Sequence, residues 1–199
     1  MAWYLDIIFY FWELFRIWFS ALFVIPFQQL QVLWILVPLW LAWFFAEFFQ
    51  EKRGTSLGNA VTNATIVLWG SIDAARQTVD LIGRGEIMGF WNIALRFFLI
   101  ALILSYGAFI MYYGIKGRLL ITKVGRVRIV TYFMAVFVPV FYNVVPLTLN
   151  YIISIMLFFP LFYFFIEIID NMTPTPKAME TDIEIAKQEG KENPPQNFG

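Results

Sequence analysis

The chain has 199 residues, 60% hydrophobic and 20% aromatic, with 14 Lys and Arg balancing 14 Asp and Glu. Soluble domains hold roughly 45 to 50% apolar residues, so this composition excludes an ordinary soluble fold. Cysteine and histidine are both absent, which removes disulfides, thiolate nucleophiles, Cys/His zinc sites, haem and iron–sulfur ligation, and the usual proton-shuttling side chain.

Four apolar runs dominate, and each is long enough to cross a hydrocarbon core of ~30 Å, which takes about 20 helical residues. The last is long enough to cross twice. The expectation is an all-α integral membrane protein: a six-transmembrane-helix bundle over residues 1–170, with spans at 3–26, 30–50, 57–82, 88–115, 128–145 and 148–170. Residues 171–199 follow as a flexible, disordered cytoplasmic tail.

The opening Met1-Ala2-Trp3-Tyr4 lacks the basic region and cleavage site of a signal peptide, so the first span is expected to be retained. Its load of Trp and Phe places it on the periphery of the bundle. Asp6, Glu13, Arg16 and Ser20 fall on one side, with Glu13 and Arg16 an i,i+3 pair at mid-membrane depth, and that side is expected to face inward. The short break at Pro26-Phe27-Gln28-Gln29 forces the second span into an antiparallel hairpin with the first. Glu47 and Glu51, with Glu167 from the last span, read as solvated helix ends beside Lys52 and Arg53. A second reading gives the three acids a cation.

The third segment, residues 57–82, is the least apolar, with Asp73, Arg76 and Asp80 in its second half. Topology makes it a span: the two basic loops share a side of the membrane only if an even number of crossings separates them. Its small-xxx-small pairs, Ala60/Ala64, Gly70/Ala74 and Ser71/Ala75, let neighbouring backbones approach closely and place it at the centre.

On the fourth span Asn92 and Arg96 share a face, as Asp73 and Gln77 do on the third. A turn centred between Arg84 and Gly85 sets Asp73 level with Arg96 and Gln77 level with Asn92, the charged pair about 17 Å below the turn. Glu13, Arg16, Asp73 and Arg96 then form one neutral group. Two readings stand: interhelical glue, favoured by neutral pairing, and a water-lined proton or ion path.

Lys116, Arg118, Lys123, Arg126 and Arg128 have no acid among them and are expected to face anionic headgroups. With Lys52 and Arg53 they place that side, and both termini, in the cytoplasm. Asn143-Val144-Val145-Pro146 turns the fifth span into the sixth, and Pro38, Pro139 and Pro160 kink their spans. Beyond Asn171, Thr175-Pro176 opens a candidate short helix to about Gln188.

No nucleophile, base or metal set points to catalysis, so neither an enzyme nor a cofactor is expected. The favoured reading is a subunit or scaffold of a larger membrane assembly, with transport or secretion complexes among the candidates. The alternative is a small oligomeric ion or solute channel or transporter using Glu13, Arg16, Asp73 and Arg96. Expected partners are the bilayer with its anionic lipids and other membrane proteins or further copies of the chain. Nucleic acid is not among them.

Overall fold

Where a peptide group meets hydrocarbon instead of water, only a helix satisfies its hydrogen bonds within one segment. The computed structural model describes residues 3–52, 54–177, 180, 181, 184 and 185, and holds helices and no strand among them. In chain order these are α1 (Trp3–Phe23), α2 (Ile25–Gln28), α3 (Leu30–Phe45), α4 (Leu57–Gly83), α5 (Phe90–Ile115), α6 (Ile121–Val124), α7 (Val127–Phe141) and α8 (Leu149–Met172). A π-helical turn, Ala46–Gln50, prolongs α3, and Glu51 N–H donates back to Ala46 C=O at 2.8 Å.

Three helices, Leu30–Gln50, Phe90–Ile115 and Leu149–Met172, are long and apolar enough to cross a membrane. They make this a membrane protein. The other expected spans differ in kind: α1 and α4 carry charges along their length, and α7 has 15 residues, about 22 Å of helix. It stops short of the expected residue 145 because Asn143 adopts a left-handed backbone (φ 59°) and the N–H groups of Val144 and Val145 turn back to Pro139 C=O. That is a C-terminal cap, and Pro146 follows it.

The most enclosed helix is α7, not α4 as the small-residue pattern suggests. Twelve of its fifteen residues are buried, between α3, α4, α8 and α1. α4 packs on α5, α6 and α7 through Ala60, Ala64, Gly70, Ser71 and Ala74, as its small residues require, and leaves one stripe uncovered. The aromatic α1 lies at the edge, burying Leu14, Trp18, Ala21 and Leu22. There the Trp18 indole donates to the Tyr132 hydroxyl at 3.0 Å, and that hydroxyl donates to Ile155 C=O.

The α4–α5 hairpin turns through loop 84–89, with Ile87 buried in it, later than the expected centre at Arg84 and Gly85. Gly107 packs on Val67 and Leu68, and Gly114 on Val61. This register sets Arg96 near Thr78, about one helical turn beyond Asp73. The expected tail begins inside α8, which carries Asn171 and Met172 and is capped at Thr173; beyond it Lys177, Glu180, Thr181, Glu184 and Ile185 are helical, and residues 178, 179, 182, 183 and 186–199, like Arg53, lie outside the described residues.

Candidate functional site

The largest collection of buried charge lies where α3, α7 and α8 end or begin on one side of the bundle. Glu47 in the π-helical turn and Arg128 in the first turn of α7 are both 0% exposed. Arg128 Nε donates to Glu47 Oε1 at 3.0 Å, while its two terminal nitrogens reach Glu47 and Glu167. The guanidinium also stacks over Tyr163, 4.7 Å from the ring centroid. Arg126 approaches the same Glu47 oxygen at 3.4 Å. Lys52 donates to the C=O groups of Asp170 and Thr173, which end α8, and stands 3.7 Å from the Asp170 carboxylate. A cation at a helix C-terminus satisfies carbonyls that have no helical partner.

Glu51 is buried too, and neutral groups hold it: Thr55 Oγ1 at 2.6 Å, Asn63 Nδ2 at 2.6 Å and the Val127 N–H at 3.1 Å. Asn63 also donates to Gly125 C=O, tying α4 to the α6–α7 turn. The expectation of solvated helix ends is therefore overturned for Glu47 and Glu51, while Glu167 remains partly exposed. Nor do the three acids converge on a common point, since Arg128 takes two of them and the third turns to Asn63.

Two members of the basic loop are corrected as well. Arg128 faces no lipid, and Arg126 is half-buried between Glu47 and Tyr163. Segment 116–125 ends earlier than the charge run does, so Arg126 caps α7, Arg128 lies in its first turn, and both turn into the bundle. Lys116, Arg118 and Lys123 are exposed, with Leu119 and Leu120 exposed between them. The sequence did contain a signal for this cluster. The antiparallel hairpins put Glu47, Glu51, Arg126, Arg128, Glu167 and Asp170 at one end, and acids and bases crowded there pair before they solvate.

The expected interior group of Glu13, Arg16, Asp73 and Arg96 does not form. Asp73 accepts from Arg76 on its own helix at 2.7 Å and from the Tyr142 hydroxyl at 2.9 Å. Arg96 is buried one turn away and spends its donors on the end of α7: Val140 C=O at 2.8 Å and Asn143 Oδ1 at 2.7 Å, with Asn92 Oδ1 at 3.4 Å. The carbonyls at the end of α7, which have no N–H of a continuing helix and keep lone pairs to spare, are the stronger attraction for a fork of donors. Gln77 is buried but makes no hydrogen bond with Asn92, which accepts from Arg96 instead. Glu13 and Arg16 point outward, and neither forms an ion pair or hydrogen bond with a described residue. The apolar face of α1, anchored by Trp18, claims the interior in their place.

A lateral groove of about 1100 Å³ lies between α3 and α4, floored by Met134 and Val138 of α7. Trp34 and Trp69 form its opposite lips, 82% and 69% exposed, so it opens to the surroundings of the bundle. Its walls are apolar except for Thr65, Asp73 and Arg76, Arg76 with 65% of its side chain exposed.

Comparison with models of known protein families, with curated proteins and with solved structures finds no match for this chain.

Proposed function

We propose that the chain is a non-catalytic subunit or scaffold of a larger membrane assembly, of the kind that moves solutes or macromolecules. In this reading the bundle has six spans, α1, α4 and α7 crossing with the three most apolar helices. Both termini lie in the cytoplasm with the exposed Lys116, Arg118 and Lys123, since loop cations collect on that side and rest against anionic lipid.

The observation that supports the reading is the uncovered stripe of α4. Thr62, Thr65, Trp69, Ile72, Arg76 and Val79 recur at helical spacing and are all exposed. A charged residue within a span carries an insertion penalty of about 2.5–3.5 kcal/mol and tends to face protein or water. An indole at mid-span, away from the interfaces where Trp collects, lacks a polar neighbour for its N–H. Lipid is a poor cover for such a stripe, and another protein is a good one.

Purification of the tagged chain in mild detergent is expected to recover a stoichiometric membrane-protein partner, whether another chain or further copies, and to lose it on Trp69→Glu. A monomer with no partner in native membranes overturns the proposal.

The channel or transporter reading has one observation in its favour, the outward Glu13 and Arg16, which an oligomer would gather around an aqueous path. Ion flux into liposomes that is present for the native chain and altered by Glu13→Gln selects it.

A further inference from the structure

We infer that Glu47 is a proton-binding site, its Oε2 taking a proton from the aqueous phase at this end of the bundle and returning it, with Trp43 and Thr131 as partners on the inner side. The inference goes beyond the subunit reading and does not rest on it. The two oxygens of this buried carboxylate are treated differently. Oε1 accepts from Arg128 Nε at 3.0 Å, from Arg128 Nη2, and from Arg126 Nη2 at 3.4 Å. Oε2 has no hydrogen-bond partner among the described residues. One oxygen that accepts beside one that accepts nothing is the pattern of a carboxylic acid, whose carbonyl oxygen takes donors while its hydroxyl oxygen holds the proton. Charge points the same way. Lys52, Arg126 and Arg128 stand among Glu47, Glu51, Glu167 and Asp170, with Tyr163 against the guanidinium. Among the described residues the cluster is one acid in excess, and a single proton makes it neutral. The other three acids are provided for: Glu51 accepts on both oxygens from Thr55, Asn63 and the Val127 N–H, Glu167 is partly exposed, and Asp170 Oδ1 stands 3.7 Å from Lys52.

The inner side of the site suits both protonation states. α3 runs against α7, since Glu47 meets Arg128 while Leu39 and Ala42 line the same groove as Met134 and Val138. Trp43, about one turn before Glu47, is therefore level with Thr131, about one turn beyond Arg128. Helical side chains lean toward the N-terminus of their own helix, which brings Glu47 and Thr131 toward one another. The Trp43 ring is turned to the same end, 6.2 Å from Phe48. Trp43 Nε1 and Thr131 Oγ1 are buried and, like Glu47 Oε2, lack a hydrogen-bond partner among the described residues. The indole is a donor only and serves the ionised oxygen, whereas the hydroxyl donates to that oxygen or accepts from its protonated form. Direct contact or one bridging water completes the set. On the outer side Arg128 links Glu47 to the partly exposed Glu167, so the aqueous phase is one side chain away. Uptake forms an O–H bond on Oε2 at the expense of one in hydronium, with no oxidation or reduction. It replaces an ion pair by a neutral acid and leaves Arg128 to Glu167 and Asp170, so the hold that weakens is that of α3 on α7.

Infrared difference spectra of the full chain in lipid bilayers, recorded as the pH is stepped from neutral to mildly acidic and back, test the site. A carboxylic-acid C=O band is expected to appear on acidification, to shift in D2O and to reverse. Subtracting the spectra of Glu47→Gln, whose amide has the shape of the protonated side chain, should isolate that band as lost. Thr131→Val keeps every charge and should move the band's frequency by removing its hydroxyl partner, and Thr131→Ser should return it. Should Glu47→Gln not fold, the two Thr131 variants decide. A band that survives Glu47→Gln places the proton on another acid and overturns the inference. So does the lack of any such band while the protein stays folded, and so does a band that neither Thr131→Val nor Trp43→Phe displaces.

Discussion

Glu47, in the π-helical turn that ends α3, and Arg128, in the first turn of α7, form an ion pair with no exposed surface on either side chain. The pair joins segments 81 positions apart and makes Arg128 the hub for Glu167 and, at 3.8 Å, for Asp170.

Breaking a buried pair by removing one partner leaves an uncompensated charge, at a cost of about 3–5 kcal/mol. Arg128→Met is therefore expected to destabilise the protein by that amount, read as a lowered Tm in detergent. Glu47→Met in the same chain should recover only part of the loss, because Glu167 still lacks its cation and Asp170 keeps only Lys52. Full recovery would mean that Glu47 was the only acid relying on Arg128.

Arg96 and Asp73 are expected to differ in their sensitivity. Arg96→Ala strips donors from buried carbonyls at the end of α7 and should cost about 1–3 kcal/mol. Asp73→Asn breaks an i,i+3 pair with an exposed arginine and should cost about 0–1 kcal/mol. Losses of equal size in parallel thermal melts would argue that the two residues form a pair after all.

Close packing makes a parallel contrast between two glycines. A Cβ at Gly125 would meet Ala60 Cβ, Ile110 Cγ2 and the Ile121 carbonyl, each at 2.9 Å, and the backbone there cannot yield. A Cβ at Gly70 would meet the Met134 tip, a flexible methyl that can swing away. Gly125→Ala is expected to cost about 1–3 kcal/mol, and Gly70→Ala less than about 1 kcal/mol. Chemical-denaturation midpoints of the two variants check the order.

The relay from Trp18 through Tyr132 to Ile155 C=O gives a fourth test. Tyr132→Phe leaves a buried indole N–H without its acceptor and a carbonyl without its donor, for a loss of about 1–3 kcal/mol. Trp18→Phe removes only the outer link and should cost less in hydrogen bonding. The emission of Trp18, isolated by comparing the two variants, should shift as its neighbour changes.

Periodicity and length alone determined the helical membrane architecture, the breaks near Pro26 and Pro146, the peripheral place of α1 and the packing face of α4. These follow from local chemistry: runs of Leu, Ile, Phe and Trp must be helical and covered, and small residues permit close approach. Which charges meet was decided only by the tertiary structure, because pairing depends on register and rotation. A loop turning later than Arg84 moved Arg96 one turn away from Asp73. A Trp-bearing face on α1 outcompeted Glu13 and Arg16 for the interior. The arginines counted as a lipid-facing run divided where α7 begins, with Arg128 turning in to Glu47. A shift of one residue turns a helical side chain by 100°, so an error too small to change a span's boundaries is enough to change its partners.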